Sequence, residues 1–157
     1  MQRVADSLYL IAITLWVGGL WAVGYLVAPA LFVHLPADRA LAGALAGRMF
    51  DLIEWVGMAS AAYLVLFLLV RRGLAAMRTP VFWLVVLMLL ATLASHFGIQ
   101  PVIAQLKAQA SLSGARDVLE SVVRDRFRTW HGVSGVLYLV QSLLGLALVL
   151  LQDRGRR

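Results

Sequence analysis

The chain has no cysteine, which excludes a disulfide framework and any thiolate metal centre. It is also poor in charge: Asp, Glu, Lys and Arg together make up 14% of its 157 residues, against about 25% in an ordinary soluble domain. Only four prolines are present, so long helices can run with few interruptions. HExxH, paired-cysteine and phosphate-loop patterns are all missing, and no catalytic signature names an activity. The net charge of +6 comes with no basic–aromatic platform, so nucleic-acid binding is not expected.

What the chain does have is apolar length. Hydrophobic residues make up 62% of it and the mean hydropathy is +0.86. The apolar stretches fall at about 8–33, 50–70, 80–99 and 130–151, each near the roughly 20 residues that cross a bilayer core. The first exceeds the apolar region of a cleavable signal peptide and has only Arg3 before it, so it reads as a retained helix. Arg71, Arg72 and Gly73 close the second. Thr79-Pro80 opens the third as an N-cap followed by proline at the first helical position. Pro101 is expected to end or kink that helix.

The expected fold is all-α: a single domain over 1–157, built as an integral-membrane, up-down four-helix bundle with helical extensions on the outer side. The stretch 36–48 is alanine-rich and can prolong the second helix outward. Ser111 to Thr129 places Leu119, Val122, Val123 and Phe127 on one helical face. On its other face Arg116, Glu120 and Arg124 are spaced for pairing, which suits an amphipathic extension of the fourth helix. Four crossings put both termini on one side. The two ends of the bundle carry equal numbers of basic residues, but Arg71, Arg72, Arg154, Arg156 and Arg157 lie immediately beside spans. That compactness places the termini in the cytoplasm by the positive-inside rule, in an inner membrane.

Polar residues recur at helical spacing inside these apolar stretches. His131, Ser134, Tyr138 and Gln141 form one stripe on the fourth span, and Thr92, His96 and Gln100 form another on the third, with Ser95 alongside. Glu54 lies near the outer end of the second, on the side of Gly57 and Ala61. Polar groups are costly in lipid, so these stripes should face inward. At about 1.5 Å per residue from the cytoplasmic ends, Glu54 and His96 both lie roughly 24 Å up, Ser134 roughly 27 Å and His131 roughly 31 Å. His34 ends the first helix on the same side, so three histidines and one carboxylate are expected in the outer half.

Each of these residues also has a purely structural reading. His34 suits the interface, His96 and His131 suit a hydrogen-bonded core, and Glu54 has Arg48 or Arg128 within reach. Tyr138 and Gln141 suit interhelical hydrogen bonds worth about 1 kcal/mol or less. Gly18/Ala22, Gly24/Ala28 and Gly57/Ala61 have small-xxx-small spacing, which permits close helix approach within one chain or between two. The five tryptophans divide between interfacial anchors and packing.

The chain resembles a bacterial domain family of unknown function related to eukaryotic transmembrane protein 205. The resemblance rests on Trp16-Val-Gly-Gly19, Pro29, Leu35-Pro36, the Ala/Gly-rich stretch to Phe50, and Phe127-x-x-x-His131-x-x-Ser134. Family members often place asparagine four residues after that serine, where this chain has Tyr138. The resemblance implies a four-helix integral membrane protein. More distantly, the tryptophan–glycine opening is similar to copper-resistance D proteins and to the membrane-bound protoporphyrinogen oxidase family, which implies copper or haem chemistry.

Two functional classes follow. The first is a membrane protein that binds copper or haem, with His131 and His96 as ligands and Glu54 as charge compensation or proton route. Neutral imidazole suits both metals, and Met49 and Met58 add only thioethers. The second is a structural or accessory subunit that packs with a membrane-protein partner and holds no cofactor. Enzymatic turnover or transport carries no substrate signature of its own here.

Overall fold

The computed structural model describes residues 2–112 and 117–156, and no strand occurs among them. The elements in order are α1 (Gln2–Trp21), a π turn (Ala22–Val27), α2 (Ala28–His34), α3 (Arg39–Arg72), a 3-10 turn (Gly73–Arg78), α4 (Pro80–Leu93), a second π turn (Ala94–Ile99), α5 (Gln100–Leu112) and α6 (Asp117–Arg156). They form four helices long and apolar enough to cross a membrane: Gln2–His34, Arg39–Arg78, Pro80–Leu106 and Asp125–Gln152. α1 packs on α3, α3 on α4, α4 on α6 and α6 on α1, closing a ring of four antiparallel neighbours.

The boundaries follow local chemistry. Asp38 caps α3 by accepting from the Leu41 N–H at 2.9 Å, so the helix of the second span begins well before residue 50, at the end of the bundle away from the termini. Gly73 ends it with φ of 56°, a left-handed conformation that glycine adopts without Cβ strain. Thr79 then caps α4 on the Phe82 N–H, with Pro80 at the start of the helix. α6 runs unbroken from the outer extension through the fourth span. The expected Arg116–Glu120–Arg124 pairing on that extension, with the face set by Leu119 and Val123, lies outside the described residues.

Pro101 does not end the third helix. The chain continues helically into α5, and the second π turn ends at Ile99, two positions before the proline. Proline lacks an N–H, and its ring collides with the carbonyl four residues back. A turn widened to i→i−5 hydrogen bonding moves that carbonyl aside. The same device serves Pro29. The residue before each proline reaches back five positions, Ala28 N–H to the Val23 oxygen and Gln100 N–H to the Ser95 oxygen.

The core lies toward the end that carries the termini. Tyr9, Ile13, Trp16, Leu20, Leu64, Leu68, Val81, Val85, Met88 and Leu148 are buried there. In lipid the hydrophobic effect between helices is weak, so the association rests on close packing and hydrogen bonds. At this end Tyr63 donates to the Ala5 oxygen at 2.9 Å, Tyr9 to the Gln152 oxygen at 3.3 Å, and Arg71 meets Asp6 at 3.2 Å. Those contacts tie α1 to α3 and α6 and hold the end that carries the termini closed.

Candidate functional site

Glu54 on α3 faces the π turn of the third span. Ser95 donates its hydroxyl to Glu54 Oε1 at 2.5 Å, and His96 Nδ1 meets Glu54 Oε2 at 2.9 Å. Two successive residues thus engage the two oxygens of one carboxylate. The carboxylate side chain is 11% exposed and the imidazole 17%. A carboxylate accepts only, so His96 Nδ1 carries the proton in this contact and Nε2 points elsewhere. Trp55 and Phe97, both exposed, pack edge-on against the imidazole with centroids 5.3 and 4.8 Å away.

Asp51, one turn before Glu54 and exposed, completes a group with Glu54 and His96. One donor atom from each of the three lies within 4.8 Å of the others, an arrangement able to hold a metal ion. Metal–ligand bonds of about 2.0–2.2 Å at a tetrahedral angle need donors about 3.4 Å apart, which is side-chain rotation away. Two carboxylates with a neutral imidazole sum to the charge that a divalent cation cancels.

The other expected residues separate into different places. His131 is exposed, its ring stacked on Phe127 at 5.7 Å and 9°. His34 is exposed and its Nδ1 lies 2.8 Å from the Ala30 oxygen. Neither belongs to the group around Glu54, so the histidines do not converge. Glu54 is engaged by His96 and Ser95. Ser134 is half-buried.

Tyr138 donates its hydroxyl to the Leu20 carbonyl, just ahead of the first π turn, and its ring lies so close over Gly24 that a Cβ there would fall 2.2 Å from it. Deeper in the bundle, Gln141 donates to Thr92 Oγ1 at 2.7 Å, and Thr92 donates to the Met88 oxygen at 2.9 Å. Both are buried. Gln141→Leu leaves the threonine bonded to its own helix, so the expected cost in thermal unfolding is about 1 kcal/mol; a loss several times larger would mean the amide has further obligations.

Asp51 was not among the residues singled out from sequence. Its spacing of three from Glu54 is the signal that could have found it. Trp55 likewise reads as an anchor, and nothing in the sequence alone sets it against His96.

The fold and this cluster define a four-span membrane protein with a carboxylate–imidazole site embedded toward one end of its bundle. Residues 11–111, nearly two thirds of the chain, match the family described as "Domain of unknown function (DUF4149)", and the chain belongs to that family. No curated protein and no solved structure matches it.

Proposed function

We propose that the protein binds a divalent transition-metal cation in the outer half of a bacterial inner membrane, with its termini in the cytoplasm. The observation that carries this reading is the gathering of Asp51, Glu54 and His96 from two helices, with donor atoms within 4.8 Å. An ionisable pair at membrane depth is expensive unless it has a task. His96 would supply nitrogen, Glu54 and Asp51 oxygen, and Ser95 would fix the Glu54 carboxylate from the far side. Exposed Asp51 offers the first contact for a cation arriving from the outer aqueous phase.

Nitrogen and oxygen donors suit Zn(II), Cu(II), Mn(II) or Fe(II), whereas Cu(I) prefers sulfur. Copper therefore stays within the proposal in its oxidised form, and the distant resemblance to copper-resistance D proteins points the same way. Haem draws no comparable support, because the histidine at the cluster is turned to a carboxylate and His131 lies on the surface.

The test is metal titration of the purified protein in lipid nanodiscs, using Zn(II) and Cu(II) separately. One ion per chain is expected, abolished in Glu54→Gln/His96→Ala and unchanged in His131→Ala. Ser95→Ala should weaken binding by about tenfold, the scale of a lost outer-shell hydrogen bond. Binding that survives the double substitution would refute the site. A protein that takes up neither ion, and that is recovered intact only with another membrane protein, would favour the accessory role.

A further inference from the structure

The two π turns stand in identical registers: six residues, one more residue, then proline, at Ala22–Val27 before Pro29 and at Ala94–Ile99 before Pro101. The shift that carries Pro29 onto Pro101 also carries Tyr9, Ile13, Trp16 and Leu20 onto Val81, Val85, Met88 and Thr92. All eight are buried to 2% exposure or less. A second shift does the same for the return helices. It carries Gly57, Ala61 and Leu64 onto Gln141, Gly145 and Leu148, all buried, and Glu54 onto Tyr138.

These correspondences predict a contact pattern as well as a burial pattern. A two-fold axis along the membrane normal exchanges the first span with the third and the second with the fourth. It therefore maps the contact of His96 with Glu54 onto a contact of Gly24 with Tyr138. That contact exists: the Tyr138 ring covers Gly24, and its hydroxyl takes the carbonyl of Leu20, the counterpart of Thr92. Parallel repeats related by such an axis are a known way to build membrane bundles, with sites at the interface between repeats.

We infer that this protein is two copies of one helix hairpin, and that it carries two equivalent loci between them. One holds Glu54, Ser95 and His96; the other holds Tyr138, Val23 and Gly24. The second is the same place with a phenol ring sealing it. Glycine at 24 is what makes room for the ring, as histidine at 96 is what leaves room only for a carboxylate. The cation locus is thus single because Tyr138 closes its twin, and Tyr138 and Gly24 act as specificity-determining residues for occupancy.

The test transplants the residues of each locus into the other in the full-length protein. Glu54→Tyr alone forces a ring against the His96 imidazole and should lower the melting temperature in detergent by about 5–10 °C, the scale of an overpacked contact. Glu54→Tyr/Ser95→Val/His96→Gly should restore it to within about 3 °C of the parent. A triple variant that melts as low as Glu54→Tyr, or lower, would overturn the equivalence of the two loci. The reverse graft, Val23→Ser/Gly24→His/Gly135→Asp/Tyr138→Glu, in which position 135 is the counterpart of Asp51, rests on the metal reading of the first locus. It should raise zinc bound in nanodiscs from one ion per chain to two, and a graft that stays at one ion while the parent binds would count against the inference. If the parent binds no zinc, the metal reading fails by itself and the melting series alone decides whether the loci are equivalent.

Discussion

His96→Ala is expected to lower the stability of the bundle by about 3 kcal/mol, the scale of a buried charged group that loses a hydrogen-bond partner. The reason lies with what stays behind. Glu54 is 11% exposed, and without the imidazole it keeps only the Ser95 hydroxyl at 2.5 Å. A carboxylate left at that depth keeps half of the side-chain hydrogen bonds it has in the parent. Glu54→Gln should cost far less, because an amide can still meet the serine and the imidazole. The double variant Glu54→Gln/His96→Ala should be more stable than His96→Ala alone. Reversible unfolding in mixed micelles measures all three. Equal losses for the two single variants would mean that packing against Trp55 and Phe97, and not the acid–base contact, holds this end together.

The second large effect is at Gly57. A Cβ there would lie 2.4 Å from Trp16 Nε1 and 3.0 Å from its Cδ1. Trp16 is fully buried, its ring is rigid, and its indole N–H finds no acceptor among the described residues. Gly57→Ala should therefore push α1 from α3 and cost about 1–3 kcal/mol, as overpacking does. Gly19 is the control. Its added Cβ would be 2.1 Å from Ile53 Cδ1, the far end of a flexible side chain that can rotate away. Gly19→Ala should be near neutral, since about 1 kcal/mol of helix propensity offsets the rotamer change. Comparable destabilisation at both positions would show that the helix interface responds to backbone spacing and not to the indole.

How much of this was legible in the sequence depended on which force did the placing. Hydropathy alone set the four spans and the all-α bundle, because backbone polar groups in lipid must pair within a helix. The extension over 36–48 was visible in its alanine-rich composition and the Thr79-Pro80 start in its capping chemistry, which is local, whereas the Asp38 cap that begins the extension was not singled out. Pro101 read as a break because proline rules are written for α-helices, and the widened turn that absorbs it is a response of the backbone with no composition of its own. The pairing of Glu54 with His96 was half visible. Equal depth along two helices put them level, but rotation about each helix axis decides contact. That rotation carried His131 to the surface and brought Asp51 to the cluster.

The widened turn beyond Leu93 also bears on how such a chain can change over generations. A π turn holds one residue more than the α-helix around it, so loss of a single residue there can be met by tightening to an α turn, and the helices on either side keep their facing. The buried series from Val81 to Thr92 lies wholly on the near side. One-residue deletions between Ala94 and Ile99 can therefore change which side chains stand at the turn itself, where Ser95 and His96 lie, while the buried core keeps its register. The turn is a part that can be re-keyed, mounted between parts that cannot.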